Sequence, residues 1–212
     1  MTRIWALPLA LVALTACRGE DVAPPPAEES VAPVEDIAVA GPQRTVLAFG
    51  DSLFAAYNLD EAEGYPAELE RALRQQGINA RVLDAGVSGD TTGAGAGRIG
   101  FVLDGAEQMP DLAIISLGGN DLLRGLTPAE TRENLDAIMA ALSDRGVPIL
   151  LYGLRAPANL GGEYTAGFDA IYADLAEKYD AALVPFWLEP VASRGDLVQD
   201  DRIHPTAEGI DV

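Results

Sequence analysis

The stretch TVLAFGDSL, residues 45–53, says more about the fold than any other part of the sequence. Apart from Thr45, its first five residues are apolar, as in a strand of a parallel sheet that is buried on both faces. Gly50 then permits a tight turn, and the hydroxyl group of Ser52 can face a cleft beyond the strand. Taken alone, however, a serine in this position is more often a helix cap than a nucleophile.

Strands and helices are predicted to alternate along the rest of the chain. Further strands are predicted over residues 80–83, 112–117, 148–152 and 182–185, and helices over residues 64–76, 128–143 and 165–179, with a short helix after the second strand. Thr127, Pro128 and Glu130 have the pattern of a helix N-terminus, and Gly77 that of a helix C-terminus. The alternation predicts an α/β fold, a central parallel sheet of about five strands with helices on both faces.

The composition excludes several classes of function. The formal net charge is −19, so the protein should repel nucleic acids, which require clustered Lys and Arg. It has one Cys and one His, too few for an internal disulfide bond or a zinc site of the Cys/His type. So acidic a chain could still hold calcium or magnesium with oxygen ligands, but no segment has the spacing of an EF-hand loop. We therefore expect no metal and no cofactor.

The first 17 residues, MTRIWALPLALVALTAC, have the order of a secretory signal peptide. Arg3 provides the positive charge, and the apolar run that follows is shorter than the ~20 residues of a membrane-spanning helix. The ending of this segment resembles the lipobox of bacterial lipoproteins, which implies that Cys17 is lipidated and becomes the first residue of the mature protein. The alternative is an ordinary cleaved signal peptide with an accidental Cys.

Residues 18–44 are rich in Pro, Ala and acidic residues and have no helical or alternating pattern. We interpret them as a flexible tether between the lipid and a folded domain over residues 45–212. The protein is expected to be a periplasmic, lipid-anchored monomer. In the sorting rule of such lipoproteins, an Asp after the Cys retains the protein at the inner membrane. Because Arg18 stands there, the outer membrane is preferred.

Four short blocks of polar residues follow strands or lie in loops. They are GDSL at 50–53, GVSGDT at 86–91, GGND at 118–121 and DRIHP at 201–205. In a parallel sheet, ligands bind beyond the carboxyl ends of the strands. His204 is the only histidine, so any mechanism that pairs a serine with a histidine must use it. Asp201 precedes it closely enough to orient the imidazole, although Asp200 is a competing acid and Ser88 a competing nucleophile.

Together, the four blocks resemble the SGNH (GDSL) hydrolase family from about Thr45 to the end of the chain. The segments GDSLFAAYNL, SGDTTGAGAGRI, LGGNDLLRGL, LRAPANLGGEY and DDRIHP are similar to the bacterial periplasmic group of acyl thioesterases, lysophospholipases and arylesterases. The resemblance implies a three-layer, flavodoxin-like fold. It also implies hydrolysis of aryl, short-acyl or lysophospholipid esters, and of some thioesters, through an acyl-enzyme.

The same resemblance implies a role for individual residues. Ser52 would be the nucleophile, His204 the general base and Asp201 the acid that orients it. The oxyanion hole would combine the backbone N–H groups of Ser52 and Gly89 with the side chain of Asn120. Residues 155–162 would form a loop that lines the substrate site, and the partner would be a small ester or lysolipid.

Three departures from the group bear on these expectations. Arg202 stands where the group usually has Gly, and Ala56 where Gly is common. Neither removes a reacting group, but Arg202 can narrow or charge the cleft mouth and thereby change the substrate preference. A terminal helix begins near Thr206, and in the family it continues for several turns. A chain that stopped at Val212 would leave apolar surface uncovered, and we expect low stability for it.

Two other classes of function are compatible with parts of the sequence. Residues 95–100 match GxGxxG, but a dinucleotide-binding loop requires that motif directly after a strand, and small residues that pack a helix against the sheet explain the glycines better. A non-catalytic surface-binding module could keep the fold without the chemistry. Covalent labelling of Ser52 by a fluorophosphonate would separate the module from the enzyme.

Overall fold

The computed structural model describes residues 37–212, which contain a five-stranded sheet. All neighbouring strands are parallel, in the order β2-β1-β3-β4-β5. The strands are β1 (Arg44–Gly50), β2 (Ala80–Gly86), β3 (Leu112–Ser116), β4 (Ile149–Tyr152) and β5 (Ala182–Val184). The predicted fold class is therefore confirmed, although β2 extends beyond its predicted end.

Helices connect the strands and cover the sheet. Within residues 37–212 they are α1 (Tyr65–Gln75), α2 (Thr92–Asp104), α3 (Gly119–Arg124), α4 (Pro128–Ser143), α5 (Gly162–Lys178), α6 (Glu189–Ala192) and α7 (Ala207–Ile210). The Thr127 side chain accepts the N–H of Glu130 in a capping box, as predicted. Gly77 has a φ of +82°, which fits its predicted place after α1. The helices α3 and α6 were not predicted, because elements of this length show no periodicity.

Strand β1 is apolar on both faces because the sheet is covered on both sides. Leu47 and Phe49 point into the larger core, where α4 and α5 pack. Val46 and Ala48 point to the opposite face, into a smaller core with Phe54 and side chains of α1. Alternate residues of a strand face opposite sides of the sheet. The near-continuous apolar run 46–49 thus reflects burial from both sides.

The strand order determines where a ligand can bind. The chain passes from β1 to β2 on one side and then crosses to β3 on the other, so the direction of winding changes between β1 and β3. Loops that leave the carboxyl ends of these two strands diverge and open a crevice. Ser52 follows β1 and Asn120 follows β3. Both residues therefore lie beside the point where this fold places its ligands.

The GxGxxG segment at residues 95–100 lies within α2, well after the end of β2. It therefore cannot form the phosphate-binding turn of a dinucleotide fold, which follows a strand directly. A Cβ atom at Gly95 would lie 2.6 Å from Leu117 Cδ1, which supports the packing explanation there. At Gly97 and Gly100, an added Cβ would meet nothing within 4 Å, so that explanation is wrong for these two.

The segment that precedes the domain lies partly outside the described residues. Residues 1–36, which include the predicted signal peptide, Cys17 and most of the predicted tether, are not described. The Ile37 carbonyl accepts a hydrogen bond from Arg74 at 3.0 Å, and the Gly41 carbonyl accepts one from Asn79 at 2.9 Å. The last residues of the predicted tether thus contact the domain. From residue 37 onward, no helix combines the length and apolar character needed to cross a membrane.

Candidate active site

The Gly50-Asp51-Ser52 segment leaves the carboxyl end of β1 in a tightly packed turn. An added Cβ at Gly50 would lie 2.9 Å from the Ser116 carbonyl oxygen of β3. A larger residue at this position would push the two strands apart, which explains the glycine. Phe54 is fully buried just beyond the turn. The turn is thereby fixed to the core, and Ser52 lies half-buried at the edge of a cleft.

A single imidazole joins the predicted nucleophile to the predicted acid. His204 Nε2 lies 2.8 Å from Ser52 Oγ, and His204 Nδ1 lies 2.6 Å from Asp201 Oδ2. This chain of contacts is the arrangement in which an imidazole can take a proton from a serine while a carboxylate orients the ring. Within the described residues, neither Ser88 nor Asp200 contacts the His204 side chain. The geometry therefore favours Ser52 and Asp201 over these two alternatives.

The loop before His204 is shaped around the Asp201 carboxylate. Asp201 Oδ1 accepts the backbone N–H groups of Ile203 at 2.9 Å and of His204 at 3.1 Å. Partial desolvation raises the pKa of Asp201, but the hydrogen bond from the His204 side chain and those from the backbone outweigh it, so the pKa is lowered overall. The carboxylate is thus held ionised beside the imidazole, where it stabilises a positive charge.

Two residues that hold His204 were missed by the sequence reasoning. The ring of Tyr57 stacks on the imidazole, with centroids 4.2 Å apart. Gln199 Nε2 donates to the carbonyl oxygens of Tyr57 at 2.9 Å and Pro205 at 2.8 Å, and its backbone N–H donates to the His204 carbonyl. Gln199 therefore ties the His204 loop to the segment after Ser52. No pattern in the sequence identifies such a contact between distant loops.

Asn120 lies at the N-terminal end of α3, directly after the turn that follows β3. Its Nδ2 atom is 3.0 Å from the Asp90 carbonyl oxygen and 3.3 Å from Asp51 Oδ2. Both Asn120 and Ser52 line the cleft. The turn before α3 requires Gly118, whose φ is +123° and where a Cβ would collide with the Tyr172 hydroxyl. The structure thus brings the predicted side-chain donor to the cleft that holds the predicted nucleophile.

Gly89, another predicted donor of the oxyanion hole, does not lie as close to the cleft as Asn120. It lies in the loop between β2 and α2 with a φ of +85°, and its carbonyl oxygen accepts a hydrogen bond from Arg124 at 2.7 Å. Within the described residues its N–H has no hydrogen-bond acceptor. Gly89 is not among the described residues that line the cleft around Ser52. An unpaired N–H is compatible with a donor role, which remains a prediction for this residue.

The cleft beside Ser52 has a volume of about 490 Å³ and a largely apolar wall. Its apolar part consists of Leu53, Leu122, Leu123, Leu154, Pro157, Leu160, Phe186, Leu188, Val191, Ala192, Val198 and Ile203. Arg155 and Arg202 bring positive charge to the same cleft, and Arg155 lies 3.6 Å from Glu189. Several members of the predicted loop 155–162 are among the lining residues. The cleft can therefore accept an apolar group beside the Ser52 hydroxyl.

The Asp51 side chain is a buried carboxylate at the base of the site, with only 2% of its surface exposed. Its Oδ1 atom accepts the N–H of Leu53 at 3.1 Å, and its Oδ2 atom accepts from Asn120. Burial raises the pKa of Asp51 to about 6, although the hydrogen bonds and nearby His204 partly oppose the shift. No pattern in the sequence predicted a role for this residue.

The two residues that replace a glycine of the related group, Ala56 and Arg202, have a left-handed backbone. Ala56 has a φ of +48° and Arg202 a φ of +59°. Glycine adopts such angles without steric cost, whereas other residues pay for the contact between Cβ and the backbone. The glycines of the related group are thereby explained. Arg202 lines the cleft close to His204, as the sequence suggested.

Several known proteins are similar to this chain over its folded part. Esterase TesA of Pseudomonas aeruginosa is 40% identical over 162 residues, which cover 76% of this chain and 80% of TesA. Thioesterase 1/protease 1/lysophospholipase L1 of Escherichia coli (strain K12) is 36% identical over 164 residues, which cover 77% of this chain and 76% of that protein. The crystal structure of AlinE4, an SGNH-hydrolase family esterase, superposes with a TM-score of 0.75 at 63% sequence identity. The superposition covers 81% of this chain and 91% of AlinE4.

The family assignment covers the folded part of the chain. Residues 48–212 match the model of the GDSL-like lipase/acylhydrolase family. The match begins within β1 and includes all four polar blocks that the sequence analysis singled out. From β1 to its last residue, this chain belongs to the GDSL-like lipase/acylhydrolase family.

Proposed function

We propose that this protein is a serine esterase in which Ser52, His204 and Asp201 form the catalytic triad. The observation that carries the proposal is the position of the His204 ring, within hydrogen-bonding distance of both Ser52 Oγ and Asp201 Oδ2. In the neutral imidazole, one ring nitrogen donates and the other accepts. Because Asp201 accepts a hydrogen bond from the N–H at Nδ1, the proton stays on that nitrogen and Nε2 is free to accept the Ser52 proton.

The reaction proceeds in two halves. Ser52 Oγ attacks the ester carbonyl carbon while His204 Nε2 takes its proton, and the negative charge develops on the former carbonyl oxygen. His204 then gives the proton to the leaving alcohol, which departs as the acyl-enzyme forms. In the second half, His204 takes a proton from a water molecule that attacks the acyl group, and returns it to Ser52 as the acid is released.

The oxyanion hole combines the N–H groups of Ser52 and Gly89 with the side chain of Asn120. Donors fixed before the reaction stabilise the developing charge, and removing one such donor costs about 10²–10³ in kcat. Support comes from the place of Asn120 beside Ser52 in the cleft and from the unpaired N–H of Gly89 within the described residues.

The substrates are carboxylic esters with an apolar acyl or aryl group. The apolar wall of the cleft supports this class, since burying such a group gives about 25 cal/mol per Å². The relatives are an esterase and a thioesterase/lysophospholipase. Aryl esters, short-chain acyl esters and lysophospholipids are therefore the candidates to compare first, in a panel that varies the acyl length against one alcohol.

The decisive experiment compares two serine variants on a nitrophenyl ester. We expect Ser52→Ala to lose activity by about 10³-fold or more, because no other group can form the acyl-enzyme. Ser88→Ala, which changes the exposed competing serine, should keep kcat within about twofold. A fluorophosphonate should label the wild type and Ser88→Ala but not Ser52→Ala. If neither the wild type nor Ser88→Ala is labelled, the result would instead favour the non-catalytic binding module.

We also propose that the enzyme acts in the periplasm, attached to the outer membrane through a lipid on Cys17. This proposal rests on the sequence of the first 18 residues, which lie outside the described part of the chain. More than one acyl chain is needed for stable attachment. The Cys17→Ser variant should move from the membrane fraction to the soluble periplasmic fraction and keep its esterase activity.

A further inference from the structure

Both hydrogens of the Asn120 side-chain amide are already hydrogen-bonded in the free enzyme. An Asn side chain carries two hydrogens on Nδ2. One is directed to the Asp90 carbonyl oxygen at 3.0 Å and the other to Asp51 Oδ2 at 3.3 Å. Both hydrogens thus have acceptors in the free enzyme. An oxyanion that uses Asn120 must share or take over one of them.

The cleft shows which of the two bonds is open to an oxyanion. Asp51 lines the cleft together with Ser52 and Asn120, whereas Asp90 is not among the described lining residues. Of the two acceptors, the Asp51 carboxylate is therefore the one that borders the cleft. Its bond is also the longer of the two. It is the contact that a negatively charged oxygen in the cleft can replace.

The same two acceptors determine which way the amide faces. A carboxylate oxygen and a carbonyl oxygen both accept and neither donates. If the Asn120 amide rotated by 180°, its oxygen would face two acceptors and both bonds would be lost. An unpaired polar group in a part-buried site is costly. The nitrogen is thereby kept on the cleft side before any substrate arrives.

We infer that Asp51 is a positioning residue for the reaction, which holds the Asn120 N–H toward the cleft until the oxyanion replaces it. This inference rests on the proposed function and adds to it a residue that does not touch the reacting atoms. Preorganised donors are effective because no reorganisation is needed when the charge develops. Asp51 provides that preorganisation by accepting from Leu53 and Asn120 with its two oxygens.

The nearby charges support a positioning role over a stabilising one. Asp51 is almost fully buried, and its direct partners are N–H groups rather than a cation. Burial raises its pKa to about 6, so keeping it ionised at neutral pH opposes folding. A residue that served stability alone would gain from being neutral. Asp51→Asn should therefore weaken catalysis without lowering the unfolding temperature at pH 8.

The test is a double-mutant comparison with nitrophenyl acetate at pH 8. We expect Asp51→Asn to lower kcat at least fivefold with KM changed less than twofold, since Asn offers one acceptor where two are needed. In the Asn120→Ala background, the same substitution should change kcat less than twofold, because the group that Asp51 orients is gone. Asp84→Asn serves as the matched control: it changes a carboxylate on the adjacent strand that bonds Gly86 and not Asn120, and should stay within twofold.

Three results would overturn the inference. They are a kcat of Asp51→Asn within twofold of the wild type, an equal loss in both Asn120 backgrounds, or an Asn120→Ala variant with unchanged kcat. The proposed function fails separately, if Ser52→Ala remains active. If Asp51→Asn does not fold, Asp51→Ser removes the carboxylate with a smaller polar side chain and enters the same comparison.

Discussion

The two sides of the reacting pair are held in different ways. Ser52 follows a strand that is buried on both faces, and the turn that carries it is fixed by the fully buried Phe54. His204 lies on a loop whose preceding residues 201–203 are exposed. Side-chain hydrogen bonds and the ring of Tyr57 hold that loop in place. The sheet positions the nucleophile, whereas a small polar network positions the base.

This difference predicts which property, stability or catalysis, a substitution on each side should change. On the Ser52 side, a substitution of Gly50 or Phe54 should disturb the core and hence the fold, because these residues pack the turn against the sheet. A substitution in the His204 loop should alter the geometry of the base and leave the unfolding free energy almost unchanged, since the loop buries little apolar surface. The predictions below test the comparison on each side, from the largest expected effect to the smallest.

The largest effect is expected at the acid of the His204 loop. Asp201→Asn keeps the shape of the side chain but removes the charge that orients the ring and stabilises the imidazolium. We expect a loss in kcat of about 10³–10⁴-fold, with only a small decrease in the unfolding temperature, since the ionised Asp201 contributes some stability at neutral pH. Steady-state kinetics and thermal unfolding of the same preparation measure both quantities. Asp200→Asn, one residue earlier, should behave like the wild type. An equal loss in both variants would mean that Asp201 has no special role.

The Ser52 side should instead show its effect in stability. The pKa of Asp51 is about 6 in the folded protein against an ordinary value of 3.8, so the unfolded chain releases this proton at a lower pH. A raised pKa contributes stability at low pH that is lost as the pH rises through the folded pKa. The free energy of unfolding should therefore decrease by about 3 kcal/mol from this group between about pH 4 and pH 7.

Chemical denaturation of the wild type and Asp51→Asn at several pH values isolates this contribution, because the other titrating groups are common to both proteins. We expect the wild type to lose stability relative to the variant as the pH rises. The carboxylate of Asp201, whose pKa is lowered, should give the opposite slope in the matching comparison of the wild type with Asp201→Asn. The same slope for both substitutions would contradict the assignment of one acid whose pKa is raised by burial and one whose pKa is lowered by hydrogen bonds.

A smaller effect is expected from Gln199, which ties the His204 loop to Tyr57 and Pro205. Gln199→Ala should lower kcat about tenfold, corresponding to about 1.4 kcal/mol, because the base is less well positioned. Its unfolding temperature should change little. Gln108→Ala, at an exposed glutamine of another loop, is the matched control. If Gln199→Ala unfolds at a much lower temperature but keeps its kcat, the hydrogen bonds of Gln199 stabilise the fold and do not position His204.

The sheet and the positions of the polar blocks could be predicted from the sequence because both follow from local patterns. An apolar run such as 46–49 must be buried on both faces, and residues after the strands meet at one edge of a parallel sheet. The helix at Pro128–Ser143 was predicted with its correct ends because its capping residues are adjacent in sequence.

The parts that could not be predicted depend on contacts between distant segments. Gln199 contacts Tyr57, 142 positions away, and nothing in either local sequence indicates it. Asp51 accepts a hydrogen bond from Asn120, 69 positions away, and no local pattern indicates this contact either. The unusual backbone angles of Ala56 and Arg202 were visible only as departures from a family that prefers glycine there. Their physical meaning, a left-handed conformation, required the structure.

The smallest predicted effect concerns that strain on the Ser52 side. Ala56→Gly replaces a residue with a φ of +48° by one that adopts this angle freely, so it should stabilise the protein by about 0.5–1 kcal/mol. The neighbouring Ala55 is also half-buried, but its φ is not positive. Ala55→Gly should therefore destabilise by about 0.5–1 kcal/mol, because glycine loses more entropy on folding. Urea denaturation measures the change in the free energy of unfolding for each variant. Changes of opposite sign would locate the backbone strain at Ala56, whereas changes of the same sign would mean that the turn after Ser52 is not strained.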